Sequence, residues 1–168
     1  MLDVDGVLNP YAWQGDADGA FSDFACHVAR GFPLLLSRAM GQCLLTLGAE
    51  LCWATTWSES IDEDVAPYAG LPRGLRVAAR PPELPTEALT NWKLVQVRAL
   101  IESEPRPFVW IDDDALDWPG PDGLTAREWA AGLEIPHLLL SPRPEIGLSL
   151  GELAEIHRFL SGLARPPG

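Results

Sequence analysis

The chain has little positive charge and no long apolar segment. Its 12 Lys and Arg residues stand against 24 Asp and Glu, which gives a formal net charge of −12. Because basic contacts to phosphates dominate the affinity of most nucleic-acid binders, a long duplex is not the expected partner. No apolar run reaches the roughly 18 residues of a membrane-spanning helix, so we expect no membrane association. The start Met1-Leu2-Asp3 lacks the features of a signal peptide, which predicts a cytoplasmic protein.

Cysteine is scarce, and the usual motifs of several enzyme classes are missing. The chain has three cysteines, which are widely spaced: Cys26, Cys43 and Cys52. An odd number at this spacing predicts neither a disulfide framework nor a zinc site. We interpret all three as reduced thiols of the core. No Gly-x-Ser-x-Gly or Cys-x-x-Cys pattern offers another route to catalysis. The 168 residues, of which 47% are hydrophobic, predict one globular domain over residues 1–168.

Acidic residues follow apolar segments at two distant points of the chain. Asp3 and Asp5 are followed at once by Gly6, and Asp112 ends the apolar run 108–111, which is typical of a buried strand. Ligands of open α/β sheets bind at the carboxyl ends of the strands, so these carboxylates are expected to meet there. Several carboxylates so close need a cation to neutralise them. The pattern predicts a site for a hard divalent metal.

Strand and helix patterns alternate along the chain. This alternation predicts an α/β protein, a three-layer Rossmann-like fold with a central parallel sheet and helices on both faces. The predicted strands are 51–55, 75–78, 108–112 and 137–140. One predicted helix ends at Gly48, and another begins after the cap Thr90. Three more begin at predicted capping boxes, which are Ser60-x-x-Glu63, Thr125-x-x-Glu128 and Ser149-x-x-Glu152.

Four motifs in order resemble those of the haloacid dehalogenase-like (HAD) superfamily, in its phosphatase branch. Asp-x-Asp-Gly-Val at 3–7 matches the first motif. Thr55 ends the predicted strand 51–55, as the second motif requires. Lys93 matches the third motif, and Asp112 with Asp113 matches the fourth. The resemblance covers about residues 1 to 140. More narrowly, the chain resembles small bacterial HAD domains linked to RNA-repair proteins. Three segments carry this resemblance, namely Asp-Gly-Val-Leu-Asn-Pro, Trp-Ala-Thr-Thr-Trp and Trp-Ile-Asp-Asp-Asp.

The sequence departs from this superfamily at its first strand and at its cap regions. Only Met1 and Leu2 precede Asp3, so we expect either a start further upstream or an unusually short central strand. The superfamily inserts cap domains at positions that correspond to 9–34 and 66–90, and each holds only about 25 residues here. We therefore predict a protein with no cap domain and an open site. Such a site suits a bulky substrate, or a lid lent by a neighbouring subunit of an oligomer.

The resemblance implies a role for each acidic residue of the motifs. Asp3 is the nucleophile, which forms an aspartyl-phosphate intermediate. Mg²⁺ is held by Asp3, by the backbone carbonyl of Asp5 and by Asp113. Asp112 is the less direct metal ligand, acting through water. Asp5 protonates the leaving oxygen and then activates the hydrolytic water.

The resemblance also implies a grip on the phosphoryl group. Thr55, the Thr56 amide and Lys93 bind its oxygens as donors aimed at developing negative charge. Because dehalogenase members lack the second Asp and need no metal, Asp5 favours phosphate chemistry.

The predicted function is a Mg²⁺-dependent phosphatase acting on phosphate monoesters. Its alternatives are a phosphotransferase on the same scaffold and a non-catalytic module that binds phosphorylated ligands, although a pure binder has no use for Asp5. The expected partner is a phosphorylated small molecule or a nucleic-acid end; nucleotides, sugar phosphates and phosphoproteins are all open. Trp13 and Trp57 border the predicted site and are candidates to contact the substrate, as is Trp118.

Overall fold

The computed structural model describes residues 1–11, 21–57, 60–83 and 90–164. The strands are β1 (Ala25–Ala29), β2 (Phe32–Leu36), β3 (Cys52–Ala54), β4 (Arg76–Ala79), β5 (Phe108–Ile111) and β6 (His137–Leu140). The helices are α1 (Arg38–Thr46), α2 (Ile61–Asp64), α3 (Trp92–Ser103), α4 (Ala126–Ala130) and α5 (Leu150–Leu163). None of the described helices is long and apolar enough to cross a membrane.

The central sheet is parallel, and Leu2 lies in its middle. Strand β3 pairs with β4, and β5 pairs with β6, both in parallel. Leu2 forms parallel bridges with Trp53 of β3 and Ile111 of β5, so the order is β4, β3, Leu2, β5, β6. The Leu2 amide donates to the Cys52 carbonyl at 2.8 Å, and the Asp3 amide donates to the Ile111 carbonyl at 3.1 Å. The predicted α/β fold is confirmed, and the described central strand is very short.

The sheet separates two hydrophobic cores. Trp53 and Ile111 contribute to one core, which also holds the buried faces of α1 and α5. Their neighbours Ala54 and Trp110 contribute to the other core, together with α3 and α4. Because successive side chains of a strand point to opposite faces, one apolar segment can serve both cores. The result is the predicted three-layer arrangement.

The segment between Asn9 and α1 contains an antiparallel hairpin that the sequence analysis did not predict. Strands β1 and β2 pair along their full length and are joined by Arg30 and Gly31. The hairpin buries Ala29 and Leu34 in the same core as α1 and α5. Since the hairpin shares the core of the sheet, it is a part of the same domain. Within the described residues neither candidate cap region forms a core of its own.

The caps of two helices differ from the prediction. Asn91, and not Thr90, is the N-cap of α3, because its side-chain oxygen accepts from the Leu94 amide at 3.0 Å. Helix α2 follows Ser60, but the predicted capping box is wrong there. The Ser60 backbone is already helical, and its hydroxyl donates back to the Trp57 carbonyl at 3.0 Å.

The capping boxes of α4 and α5 are confirmed. Thr125 with Glu128, and Ser149 with Glu152, exchange side-chain and backbone hydrogen bonds as the motif requires. These caps fix where the helices after β5 and β6 begin.

The three cysteines are free but do not share one environment. Cys52 is buried, Cys43 is half-buried and Cys26 is exposed. The prediction of three core thiols is therefore wrong for Cys26, because the first residues of β1 lie at the surface.

Candidate active site

The predicted catalytic residues lie at one edge of the sheet. Asp3 follows Leu2, Thr55 follows β3, and Asp112 follows β5. Lys93 lies in the first turn of α3. Parallel strands present their carboxyl ends at the same edge, so residues separated by about a hundred positions come together there.

Lys93 joins two buried carboxylates. Its ammonium donates to Oδ2 of Asp3 and, at 2.9 Å, to Oδ2 of Asp112. The exposed fractions are 5% for Asp3, 7% for Lys93 and 0% for Asp112. Burial alone would lower the pKa of Lys93, but the two carboxylates raise it above its usual value. Lys93 is therefore a permanent cation that can balance only one of its two partners.

The carboxylates of the cluster are short of positive charge. Burial raises the pKa of Asp3 above its usual value, against the effect of Lys93. Burial and the charge of Asp3 raise the pKa of Asp112 to about 7. Burial, with Asp114 and Asp112 nearby, raises the pKa of Asp113 to about 6. Raised pKa values of this kind mean that too little positive charge lies near the ionised carboxylates at this edge of the sheet.

Three acids of this edge fit a divalent cation. Oxygens of Asp3, Asp112 and Asp113 lie within 4.8 Å of one another. A set of carboxylate oxygens, with no sulfur or imidazole among them, suits a hard ion such as Mg²⁺. The donor chemistry and the raised pKa values therefore both fit the Mg²⁺ that the motif resemblance implies.

Gly6 allows Asp113 to approach the first motif. Gly6 has a φ of 69°, in the left-handed region. A Cβ atom at this position would lie 2.3 Å from Cγ of Asp113. Only glycine meets both conditions, which is the physical basis of Asp-x-Asp-Gly here.

The side chain of Asp5 lies outside the carboxylate cluster and is held by two neutral donors. Nδ2 of Asn9 donates to Oδ1 at 2.8 Å, and Nε1 of Trp57 donates to Oδ2 at 2.9 Å. Oδ1 of Asn9 in turn accepts from the Leu35 amide of β2 at 2.8 Å. The carboxylate orientation is therefore set jointly by the loop after β3 and by the hairpin. The sequence analysis missed this pair of donors, since no spacing rule links Trp57 to Asp5.

Thr55 offers a buried donor without an acceptor. The residue is 2% exposed, and its Oγ1 has no hydrogen-bond partner among the described residues. The hydroxyl helps to lower the pKa of Asp3, although the two groups do not meet hydrogen-bond geometry. An unpaired buried hydroxyl costs about 1–3 kcal/mol, so an oxygen of a ligand is its natural partner. The adjacent Thr56 is exposed.

Asn91 fixes Lys93 relative to the fourth motif. While Oδ1 of Asn91 caps α3, its Nδ2 donates to the Ala115 carbonyl at 2.7 Å and to the Trp118 carbonyl at 2.6 Å. The start of α3 is thereby tied to the loop that follows β5. Placing the cap at Thr90 hid this positioning role in the sequence analysis.

A cavity of about 420 Å³ adjoins Asp5, and its lining contains none of the three clustered acids. The hairpin forms one wall, and the segments after Leu2 and β3 form the others. Its lining includes Asp5, Tyr11, Arg30, Phe32, Thr56 and Trp57. Of the three tryptophans considered as substrate contacts, Trp57 lines the cavity and Trp118 is not in the lining, whereas Trp13 lies outside the described residues.

The family model for the HAD domain in Swiss Army Knife RNA repair proteins matches residues 1–152. The chain belongs to this family. No curated protein and no solved structure matches the chain. The match spans every site residue described above, so the resemblance inferred from the four motifs is confirmed. This HAD domain is thus a member of a superfamily of phosphatases and phosphotransferases.

Proposed function

We propose that this HAD domain is a Mg²⁺-dependent phosphatase that hydrolyses phosphate monoesters through an aspartyl-phosphate intermediate. The observation that carries the proposal is the buried Asp3, which is paired with Lys93 and adjoins the unpartnered Thr55 hydroxyl. A nucleophile and two donors for phosphoryl oxygens thus lie together at the edge where the sheet binds ligands.

Mg²⁺ would be held by Asp3, by Asp113 and by the Asp5 carbonyl. Asp112 is the weaker candidate for a direct ligand, because it is fully buried and its oxygens accept from Lys93 and, at 2.9 Å, from the Ala115 amide. When bound, the ion would neutralise the crowded carboxylates and the incoming phosphate.

The protein groups divide the two chemical steps between them. In the first step an Asp3 oxygen attacks phosphorus, the bond from phosphorus to the leaving oxygen breaks, and Asp5 gives that oxygen a proton. In the second step Asp5 takes a proton from water, and the resulting hydroxide displaces phosphate from Asp3. Thr55 and Lys93 stabilise the phosphoryl oxygens throughout, because charge neutralisation and in-line positioning carry most of the catalysis of such reactions.

A single-stranded nucleic-acid end is the substrate class we propose. The family is described by its occurrence in RNA repair proteins. The net charge of −12 opposes binding of a long duplex, whose affinity depends on many basic contacts. The end of a single strand requires far fewer such contacts.

Phosphate release from a panel of monoesters tests this function. The panel contains 5′- and 3′-phosphorylated single-stranded oligonucleotides, nucleoside monophosphates, a sugar phosphate and a phosphopeptide, each with Mg²⁺ or with excess chelator. We expect release only with Mg²⁺ and the highest kcat/KM for an oligonucleotide. Release that resists the chelator contradicts the metal dependence. Transfer to an added alcohol in place of water would identify a phosphotransferase.

A further inference from the structure

We propose that the cavity beside Asp5 binds the terminal nucleoside of a single-stranded nucleic-acid end, with Phe32 and Tyr11 contacting the base and Arg30 contacting the next phosphodiester. This inference rests on the proposed function, which it extends from the reacting phosphate to the rest of the substrate.

The position of the cavity relates it to the leaving group. Asp5, the residue proposed to protonate the leaving oxygen, is itself part of the cavity wall. The three acids of the metal cluster are not part of that wall. Because Asp5 has to reach the leaving oxygen of a phosphate held at Asp3, the remainder of the substrate lies beside Asp5, where the cavity is. The volume of about 420 Å³ accommodates a group of nucleoside size.

Two exposed aromatic rings line this cavity. Phe32 is 65% exposed and Tyr11 is 63% exposed. Burial of large aromatic side chains is favourable, so a ligand that covers these two rings gains binding energy. Partial burial is the main cause that raises the pKa of Tyr11, which reaches about 12 with the charges of the nearby carboxylates added. Tyr11 is thus a neutral ring between the carboxylates and the hairpin. Bases stack on such rings with little dependence on sequence.

Trp57, which the sequence analysis considered as a substrate contact, has a different role. Its ring nitrogen donates to Asp5, and the side chain packs against the core. The rings available to a ligand are therefore those of Phe32 and Tyr11.

Arg30 supplies a positive charge where the acidic chain has few. It lies in the two-residue hairpin turn with a φ of 52°, and Gly31 follows with a φ of 83°. Turns with two positive φ values strongly favour Asn-Gly or Asp-Gly, so an arginine at the first position is contrary to the local preference. Among the described residues, Arg30 forms an ion pair only with Asp64, at 3.3 Å and at the surface. Such exposed pairs are weak, so Arg30 can exchange Asp64 for a phosphate.

Kinetics with three substrates of increasing size test the assignment. Glycerol phosphate offers neither base nor second phosphate, a nucleoside monophosphate offers the base, and a phosphorylated single-stranded trinucleotide offers both. We expect Phe32→Ala to raise KM about tenfold for the two substrates with a base, and not for glycerol phosphate. Phe32→Tyr keeps an aromatic ring, so KM for the two substrates with a base should stay at its wild-type value.

Arg30→Gln should act on the longest substrate alone. We expect a raised KM for the trinucleotide and a fall of roughly 0.7 in the slope of log KM against log salt, as for one lost phosphate contact. Matched controls are Val28→Ala, which alters an exposed residue of the same hairpin, and Arg73→Gln; neither residue lines the cavity. Both controls should leave all three KM values unchanged.

A binding measurement separates failure of this inference from failure of the proposed function. Fluorescence anisotropy of a labelled, unphosphorylated single-stranded oligonucleotide needs no catalysis. Weaker binding by Phe32→Ala and Arg30→Gln supports the cavity even if the wild-type protein hydrolyses no phosphate. Unchanged binding, or equal KM losses on all three substrates, overturns the assignment. A greater loss on a phosphotyrosine peptide than on the trinucleotide would assign the cavity to a peptide and overturn it too.

Discussion

Asp3 and Asp5 are separated by one residue, yet they belong to two contrasting regions of the site. Asp3 is buried and paired with the Lys93 ammonium, inside a cluster of further carboxylates. Asp5 is half-buried, lies beside an open cavity and accepts from the neutral donors of Asn9 and Trp57. The first region is built on the sheet, whereas the second depends on a hairpin at its margin.

Under the proposed function, this contrast separates chemistry from recognition. Electrostatic interactions are strong in the buried region around Asp3, where a phosphoryl group would have to be neutralised. A proton donor for the leaving oxygen would instead have to meet groups of variable size, which the open cavity allows. The hairpin could therefore be altered without disturbing Asp3.

Replacing each acid by its amide gives the largest expected effect and separates the two roles. Asp3→Asn and Asp5→Asn should each lower phosphate release by a factor on the order of 10³ or more. With an aryl phosphate, whose leaving group needs little protonation, Asp5→Asn should accumulate phosphoenzyme because hydrolysis lacks its base. Asp3→Asn should accumulate none. Intact-protein mass spectrometry detects the added phosphoryl group, and its appearance on Asp3→Asn contradicts the assignment.

Removing a metal ligand should cost stability only when Mg²⁺ is present. A ligand at a hundredfold excess over its Kd stabilises the folded state by about 2.7 kcal/mol, which corresponds to a rise in Tm of roughly 5–10 °C for a chain of this length. We expect Asp113→Ala to abolish most of that rise. Asp114→Ala, at the exposed neighbour, is the matched control and should preserve it. Thermal denaturation with and without Mg²⁺ measures both, and an equal rise in both variants would refute Asp113 as a ligand.

Loosening Asp5 should have a smaller effect on rate. Trp57→Phe deletes the 2.9 Å hydrogen bond to Asp5 and keeps most of the ring packing. We expect kcat to fall about tenfold, since a hydrogen bond to a charged group contributes about 1.5–3 kcal/mol, part of which positions Asp5. The change should be greater for a poor leaving group than for an aryl phosphate. Trp118→Phe should have no effect, and an equal loss for both leaving groups would show that Trp57 does not act through Asp5.

The pH dependence of stability should give the smallest effect. Acids whose folded pKa is raised stabilise the fold at low pH, and this contribution is lost as pH rises through the folded value. For Asp113 and Asp112 the folded values are about 6 and about 7, against a usual value of 3.8. Burial lowers the pKa of the Met1 amine to about 6, which makes stability rise between about pH 6 and 8 and offsets part of this loss. Because the two acids together have the larger shift, the metal-free protein should still have a Tm a few degrees higher at about pH 5 than at about pH 8.

Two controls identify the source of that pH effect. Acids with lowered pKa values, such as Asp122 and Glu104, change the stability only below about pH 5 and do not contribute to the difference in Tm between pH 5 and pH 8. Mg²⁺ should reduce the difference in Tm, and so should Asp113→Asn. A Tm that rises from pH 5 to pH 8 without metal would contradict the direction of these shifts.

The sequence predicted the inner region well because simple rules govern it. Apolar runs that end in acids must place those acids at the carboxyl edge of a parallel sheet, so Asp3, Thr55 and Asp112 could be expected to meet. Lys93 required the family resemblance in addition, since a lysine on a helix has many roles.

The outer region could not be predicted from local patterns. The turn Arg30-Gly31 has an arginine where Asn, Asp or Gly is favoured, and Pro33 disfavours a strand, so the hairpin was missed. The donors of Asn9 and Trp57 reach Asp5 only through the tertiary arrangement. Thr90 and Asn91 are both good caps, and the contacts of Asn91 with the loop after β5 decide between them.

The close approach of Gly6 to Asp113 has a consequence for how relatives of this domain are classified. A side chain at position 6 would displace Asp113, although every acid of the motifs would still be present in the sequence. Under the proposed function, Gly6→Ala is therefore equivalent to losing a metal ligand without losing a carboxylate. A relative that carries such a change would keep its family membership and its Asp3, and the proposed mechanism predicts that it is inactive. Under that mechanism, an inventory of catalytic residues has to include this glycine.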